Sequence, residues 1–406
     1  MAPKLYILTT TGQIPYLTKD SSHEINFTSG EKSTLIYQLR LADFLSHLPI
    51  TEKFSSILNF ISEENSDKKF HISLKPKDEE HPNSSCREKS KEAKSNKNKK
   101  DSTILNLSTV NGKRDLSQDE YYKILKKFGV FNDNLKGRIT FDTYNDNDTI
   151  KASKKRLQKS AERTIEYYNE YETIFSTKEQ EQGITVITGG TDWRRRMQCW
   201  TGQKQKLTKN NSARANQTIL IENLEISEKL ENSALEIYLK LSTDIPDNYK
   251  IVVSFAPSKC TENNLKIFKI MKKMYKIRKC DFMTSVFYDL SEDFVALKLV
   301  DDPEQTDMET NHSVVANVNN DNTKIEPPTK KRKISDPKHD DDVISEILNF
   351  KDIKYKFQTN DFLIDKYSYA YLHHLYDTSE YLGKALLVMF NLKQLVKFVR
   401  GLDDNK

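Results

Sequence analysis

The chain has 406 residues, 36% hydrophobic and 30% charged, with a net charge of +5. This length holds one large domain or two ordinary ones, and so small a net charge excludes a molecule that binds polyanions over its whole surface. Four scattered cysteines, Cys86, Cys199, Cys260 and Cys280, give neither a disulfide frame nor ligand spacing.

The first twenty residues lack the apolar core of a signal peptide, so an intracellular, cytoplasmic address is expected. No apolar run approaches the roughly 20 residues that cross a bilayer, so no membrane insertion is expected. Leu5–Leu8 reads as a short strand, and Gly12 and Pro15 punctuate the TTTGQIPYLT segment that follows it. Residues 33–60 alternate apolar and polar positions that suit both strand and helix. Residues 63–102 are rich in Lys, Ser, Asn and Glu. They bury too little apolar surface to offset chain entropy, which predicts a disordered, solvated insertion. Ile104–Leu107 reads as a strand, Asn111-Gly112 as a turn, and 119–128 as a helix. GRITFD at 137–142 is a short strand ending on Asp142, and 151–171 a long helix with Lys154, Lys155 and Arg156 on a solvated face.

GITVITGG at 183–190 is the plainest buried strand: β-branched, short and ended by two glycines. It suits a parallel sheet covered on both faces. TDWRRRMQCW then opens a helix that Thr191 or Asp192 can cap. Arg194, Arg195 and Arg196 cluster near the strand's C-terminal end. Guanidinium groups bind phosphate in a bidentate way, so these three are the candidate RNA contacts. Trp193 and Trp200 either stack on bases or fill the core. Strands follow at Thr218–Leu224, Lys250–Phe255 and 280–288, with helices over 233–241 and 263–275. Residues 301–342, acidic and Asn-rich, read as a second disordered insertion. Within it Lys330, Lys331, Arg332 and Lys333 have the form of a nuclear-import signal, which adds a nuclear address. Ile344–Lys356 reads as helix or strand. Strands alternating with helices make an α/β architecture with parallel pairing, and pattern alone leaves an open sheet and a closed barrel equally available.

The stretch Thr359–Asn391 contains YSYAYLHHL at 367–375, then Glu380, Leu382, Gly383 and Asn391. Tyr371, Leu372, Leu375, Leu382, Leu386, Leu387 and Phe390 recur at i,i+3/i+4 steps that make a core-facing helix face. His373 and His374 are adjacent, so on a helix they point about 100° apart and read as packing residues rather than ligands of one metal. Glu380 and Gly383 mark a bend between two helices. The stretch resembles the C-terminal segment of the tRNA-guanine transglycosylase family, which runs CxCxxC, two variable residues, Y[ST]RAYLHHL, E-x-L-G and IHN. TTTGQIPYLT, the Gly189-Gly190 strand end, and Ser160, Arg163 and Thr164 are similar to that family too. The resemblance covers most of 1–62 and 103–406, weakly in the middle and strongly at the end.

The resemblance implies one (β/α)8 TIM barrel with a C-terminal helical subdomain at 343–406. It also implies lost chemistry. Thr359, Asp361 and Ile364 stand where the family has three zinc cysteines, and Phe390 where it has the ligand histidine. No metal and no cofactor are therefore expected, and Phe390 and Ile364 are expected to pack against Tyr371 and Leu387. Thr284 stands in place of the nucleophilic aspartate, and threonine without an adjacent base is a poor nucleophile. Ile221–Asn223 replace a glycine-rich loop that lets the purine approach. Asp142 falls where the family has a purine contact, or simply turns the chain. The SGGFQ string of catalytic members is absent. The chain looks more like the noncatalytic eukaryotic accessory subunits, although these keep the zinc site. The implied function is a pseudoenzyme that pairs with a catalytic transglycosylase subunit and tRNA in queuosine modification. The alternatives are a stand-alone RNA-binding or protein-interaction scaffold and, third, an active base-exchange enzyme.

Overall fold

A computed structural model describes residues 3–8, 35–40, 69–73, 104–109, 112–127, 135–137, 154–174, 183–209, 217–226, 230–256, 260–299, 344–364 and 367–404. In chain order, β1 (Leu5–Leu8), β2 (Leu35–Arg40) and β3 (Lys69–Ser73) come first. A hairpin of β4 (Ile104–Thr109) and β5 (Gly112–Ser117) follows. Ser117 then opens α1 (Gln118–Lys127) with a reciprocal cap: Glu120 N donates to Ser117 Oγ at 3.3 Å, and Ser117 N donates to Glu120 Oε2 at 2.8 Å. This Ser-x-x-Glu pattern satisfies two backbone donors that a helix start leaves open.

From there strands and helices alternate: β6 (Leu135–Gly137), α2 (Lys154–Ile174), β7 (Ile184–Ile187), α3 (Trp193–Lys209), β8 (Thr218–Leu224), α4 (Glu231–Asp244), β9 (Lys250–Phe255), α5 (Thr261–Ile277), β10 (Asp281–Thr284) and α6 (Val286–Glu292). The chain ends with β11 (Val295–Leu299), β12 (Ile344–Asn349), a 3-10 turn at Ile353–Tyr355, β13 (Phe362–Ile364), β14 (Tyr367–Ser368), α7 (Tyr369–Asp377) and α8 (Tyr381–Asp404). None of the described helices is long and apolar enough to cross a membrane.

Eight strands form one sheet in the order β6-β3-β2-β1-β10-β9-β8-β7, and every neighbouring pair is parallel. The α/β expectation therefore holds. β1 lies between β2 and β10, so the first and last of these strands in sequence are neighbours in space. Side chains alternate between faces along a strand. Leu5, Ile7, Ile187, Ile219, Ile221, Ile251, Val253 and Phe282 face the helices and join them in the main core. Tyr6, Ile36, Ile184, Val186, Leu220, Val252 and Met283 point the other way and form a separate cluster with no helix residue in it, each 6% exposed or less.

Four expectations are corrected. Lys69–Ser73 falls inside the tract read as a disordered insertion, yet it is β3, paired with β2 and β6 in the sheet. Composition averaged over forty residues hides five that alternate Phe70 and Ile72 with polar neighbours. The rest of that tract, and all of 301–342, lie outside the described residues. The hairpin register pairs Thr109 with Gly112, so Gly112 belongs to β5 rather than to the turn. The strand read over 280–288 stops at Thr284, whose Oγ1 accepts from Val286 N at 3.1 Å, and α6 begins at once. The C-terminal unit is not purely helical and starts before 343, because β11 pairs antiparallel with β12 across the undescribed tract. Asn391 on α8 fixes this unit to the rest. Its Nδ2 donates to Val295 O at 2.8 Å and Ser291 Oγ at 3.1 Å, and its Oδ1 accepts from Leu297 N at 3.1 Å.

Candidate functional site

In a parallel sheet flanked by helices, ligands bind at the strands' C-terminal ends. Here those ends are built around an irregularity in β8. The pairing of β8 with β9 shifts register between Ile221 and Leu224, and Asn223 adopts φ 49°. Asparagine tolerates this left-handed conformation better than most residues. Such a bulge disrupts the regular ladder locally, and buried carbonyls still need donors. Arg196, fully buried in the first turn of α3, supplies them. Its Nη1 donates to Glu222 O at 2.7 Å and Ile187 O at 3.2 Å, its Nη2 to Asn223 O at 3.2 Å, and its Nε to Gly190 O at 2.6 Å. Gly189 permits the approach: a Cβ there would stand 2.7 Å from Arg196 N, and its φ of 148° disfavours any side chain.

Alternation along the strands places Thr188, Glu222 and Ser254 on the same face as Val186, Leu220 and Val252. All three are buried, which puts three polar side chains on that face just beyond the apolar cluster. Ser254 Oγ donates to Asn223 Oδ1 at 3.3 Å. Glu222 is the buried carboxylate of this layer. Thr284 shares the opposite, helix-facing side with Phe282, and its hydroxyl is engaged by Val286 N. Asp281, the carboxylate three residues before it, sits at the other end of β10, where Oδ1 accepts from Lys4 N at 2.8 Å. There it helps burial push the Tyr6 hydroxyl well above the usual tyrosine range, burial being the larger cause.

The arginine cluster divides. Arg196 is an interior structural group, which corrects its reading as an RNA contact: a guanidinium committed to four carbonyls has no face left for phosphate. Arg194 is exposed, and Arg195 is half-buried with Nη1 donating to Gln198 Oε1 at 2.8 Å. Asp192, not Thr191, caps α3, its Oδ1 accepting from Arg194 N at 2.9 Å. Trp200 is core, fully buried with Nε1 donating to Asp244 on α4. Trp193 is partly exposed, with Lys240 Nζ 3.9 Å above its ring centre.

The C-terminal segment does not fit a zinc ion. Thr359 and Asp361 are exposed, and Phe390 packs with Leu387 in an apolar cluster that also holds Phe294, Phe350 and Leu372. Among the described residues, no three His, Cys, Asp or Glu side chains come together as a metal-binding group. The side chain of Ile364 lies outside the described set, and Tyr371 is exposed and stacked on Tyr367 rather than packed under Phe390. His373 is buried, with Nδ1 2.8 Å from Phe350 O and Nε2 3.4 Å from Asp377. Seven of the ten exposed large apolar side chains among the described residues lie between Ile347 and Leu382, led by Phe357 and Ile353.

Asp142 and the basic island Lys330, Lys331, Arg332 and Lys333 lie outside the described residues. Sequence reasoning missed Glu222, Ser254 and Thr188 as one layer; the β-branched strands around them carried the only signal, their period of two. No family model matches the chain, and no curated protein matches it.

Proposed function

We propose that the chain is a noncatalytic member of the tRNA-guanine transglycosylase family that acts as a binding subunit, pairing with a catalytic subunit in queuosine modification of tRNA. The buried polar side chains at the strand ends are the observation that carries this reading. Where the resemblance implies a purine, the buried side chains of Thr188, Glu222 and Ser254 share one face, and the threonine in the nucleophile's place lies on the opposite face of β10. A carboxylate must reach the ribose anomeric carbon for base exchange, and Thr284 stands where the resemblance expects that carboxylate.

The sheet is read as a closed (β/α)8 barrel. Its strand order is the cyclic order of a barrel cut between β6 and β7. Among the described residues, the seven apolar side chains of that face cluster only with one another, as curling into a barrel would produce. The concentration of exposed apolar side chains along one segment of the C-terminal unit supports a partner surface there, since an ordinary surface scatters such residues singly. The basic island at 330–333 adds nuclear import to a cytoplasmic address. The test is co-expression with a catalytic transglycosylase subunit. A stable one-to-one complex whose queuine incorporation depends on this chain is expected. The absence of any complex, or base exchange by this chain alone, overturns the reading.

A further inference from the structure

Strands of a parallel sheet covered on both faces read as continuous apolar runs. On one half of the sheet Val186, Leu220, Val252 and Met283 follow that pattern. On the other half β2, β3 and β6 depart from it, and they do so on one face only. The register pairs Gln38 with His71, His71 with Lys136, and Arg40 with Ser73. Alternation along β2 puts Gln38 and Arg40 on the face of Ile36, which is the face of the smaller apolar cluster. The residues paired with them, His71, Ser73 and Lys136, therefore stand on that face too. Lys69 pairs with Ile36 and lies one step further from the strand ends. The alternate positions, Tyr37, Leu39, Phe70 and Ile72, are apolar. Arg40 and Ser73 are the last residues of β2 and β3, and Lys136 is the middle residue of β6. Neighbouring strands lie about 4.8 Å apart, so Arg40, His71 and Lys136 fall within a patch about 10 Å across. Among the described residues of these three strands there is no Asp or Glu. The carboxylates that alternation puts on this face of the other strands are Asp281, at the N-terminal end of β10, and Glu222 on β8. Near the C-terminal ends, Arg40, Lys69 and Lys136 thus outnumber the carboxylate of Glu222.

We propose that this face of β2, β3 and β6 binds the phosphate group of a small phosphate monoester. The C-terminal ends of parallel strands are where ligands bind in sheets of this kind. The residue types gathered there are those that serve a phosphate: a guanidinium fork and an ammonium for charge-assisted hydrogen bonds, and a hydroxyl, an amide and an imidazole as further donors. A phosphate monoester carries close to two negative charges at neutral pH and three strong acceptor oxygens. A carboxylate, or a phosphodiester of a nucleic-acid backbone, brings one charge and fewer acceptors, so the surplus of cations selects the monoester. The placement follows from neighbouring strand pairs alone, and it is the same in an open sheet and in a closed barrel. The proposal goes beyond the accessory reading and does not rest on it.

The test is calorimetric titration of the full chain at pH 7 with glycerol 3-phosphate, inorganic phosphate, acetate, and a single-stranded RNA that lacks a terminal phosphate. Saturable one-to-one binding of glycerol 3-phosphate and of inorganic phosphate is expected. Arg40→Gln/Lys136→Gln should bind both about tenfold more weakly or worse, since each lost charged hydrogen bond is worth about that factor. Lys354→Gln, on the exposed 3-10 turn of the C-terminal unit, should bind as the wild type does. A second measurement needs no variant: in the wild type, saturating glycerol 3-phosphate should slow acetylation of Lys136, read by mass spectrometry, and leave Lys354 unaffected. If the double variant does not fold, this protection decides. No saturable phosphate binding, equal binding of acetate, tighter binding of the RNA, or a folded double variant with wild-type affinity each overturns the proposal. So does a Lys136 that acetylates equally fast, or not at all, with and without the ligand. A complex with the catalytic subunit that forms despite any of these results leaves the accessory reading standing.

Discussion

Arg196 and Glu222 are joined by a 2.7 Å hydrogen bond from Nη1 to the main-chain carbonyl, which ties the first turn of α3 to the irregular end of β8. The same guanidinium holds Ile187, Gly190 and Asn223. Removing it strands several buried carbonyls at once, and breaking a buried charged network of this kind costs about 3–5 kcal/mol. Arg196→Met should therefore lose most of the stability measured by urea unfolding. Arg196→Lys should lose nearly as much, because an ammonium lacks the planar fork that reaches all four acceptors. Arg194→Ala should stay within about 0.5 kcal/mol of the wild type. Equal stability of the two Arg196 variants and the wild type would sink this account.

Asn391 is the corresponding tie at the other end of the chain. Asn391→Leu leaves Leu297 N, Val295 O and Ser291 Oγ without their partner. The desolvation penalty of buried unpaired groups predicts a loss of about 2–3 kcal/mol. Hydrogen exchange should show the Leu297 amide opening faster in the variant; an unchanged rate would mean that another group replaces the asparagine.

Two glycines of α8 give a paired test of packing. A Cβ on Gly383 would stand 2.7 Å from Phe294 Cε1 and 3.1 Å from Leu375 Cβ, whereas one on Gly401 would meet nothing within 4 Å. Gly383→Ala should destabilise by about 1–3 kcal/mol through overpacking. Gly401→Ala should stabilise by up to about 1 kcal/mol, the helix propensity difference. Thermal melts of the two variants should move in opposite directions.

Thiol chemistry separates surface from core. Cys260 is exposed, while Cys199 and Cys280 are buried. Burial pushes the Cys280 thiol far above its ordinary range, and the hydrogen bond with Tyr238 opposes this only in part. The neutral thiol is therefore the form present at alkaline pH, and only thiolate reacts. In a Cys86→Ser background, a disulfide reagent at pH 9 should label one thiol rapidly and the other two only on unfolding. Two rapid thiols in the native protein would place Cys199 or Cys280 wrongly.

Thr284→Asp should not create base exchange. The substituted carboxylate would share the helix-facing side of Phe282, and the strand ends would still hold Glu222. Groups that act as a unit are non-additive, so the variant should incorporate no labelled guanine into bulk tRNA. Turnover by Thr284→Asp alone would show that the strand-end layer admits a purine.

Much of this molecule was written locally. The strands Leu5–Leu8, Thr218–Leu224 and Lys250–Phe255 were readable at their observed bounds, because β-branched runs between turn residues have one economical conformation. Asp192 was readable as one of two caps for the same reason: capping depends on the residue and its immediate neighbours. What the sequence could not decide depended on contacts between distant segments. Three adjacent arginines look alike in a string, yet helical rotation sends Arg196 inward to a β8 bulge 26 residues away and leaves Arg194 in solvent. Five residues at 69–73 alternate apolar and polar, a pattern too short to stand out in a polar tract, and they become a sheet strand between β2 and β6. The one-residue difference between Met283 and Thr284, invisible as a spacing, places them on opposite faces, since a strand alternates with period two. Local propensity thus set the elements, and the tertiary structure alone set which side chains meet, because burial and hydrogen-bond satisfaction are properties of the assembled sheet and helices.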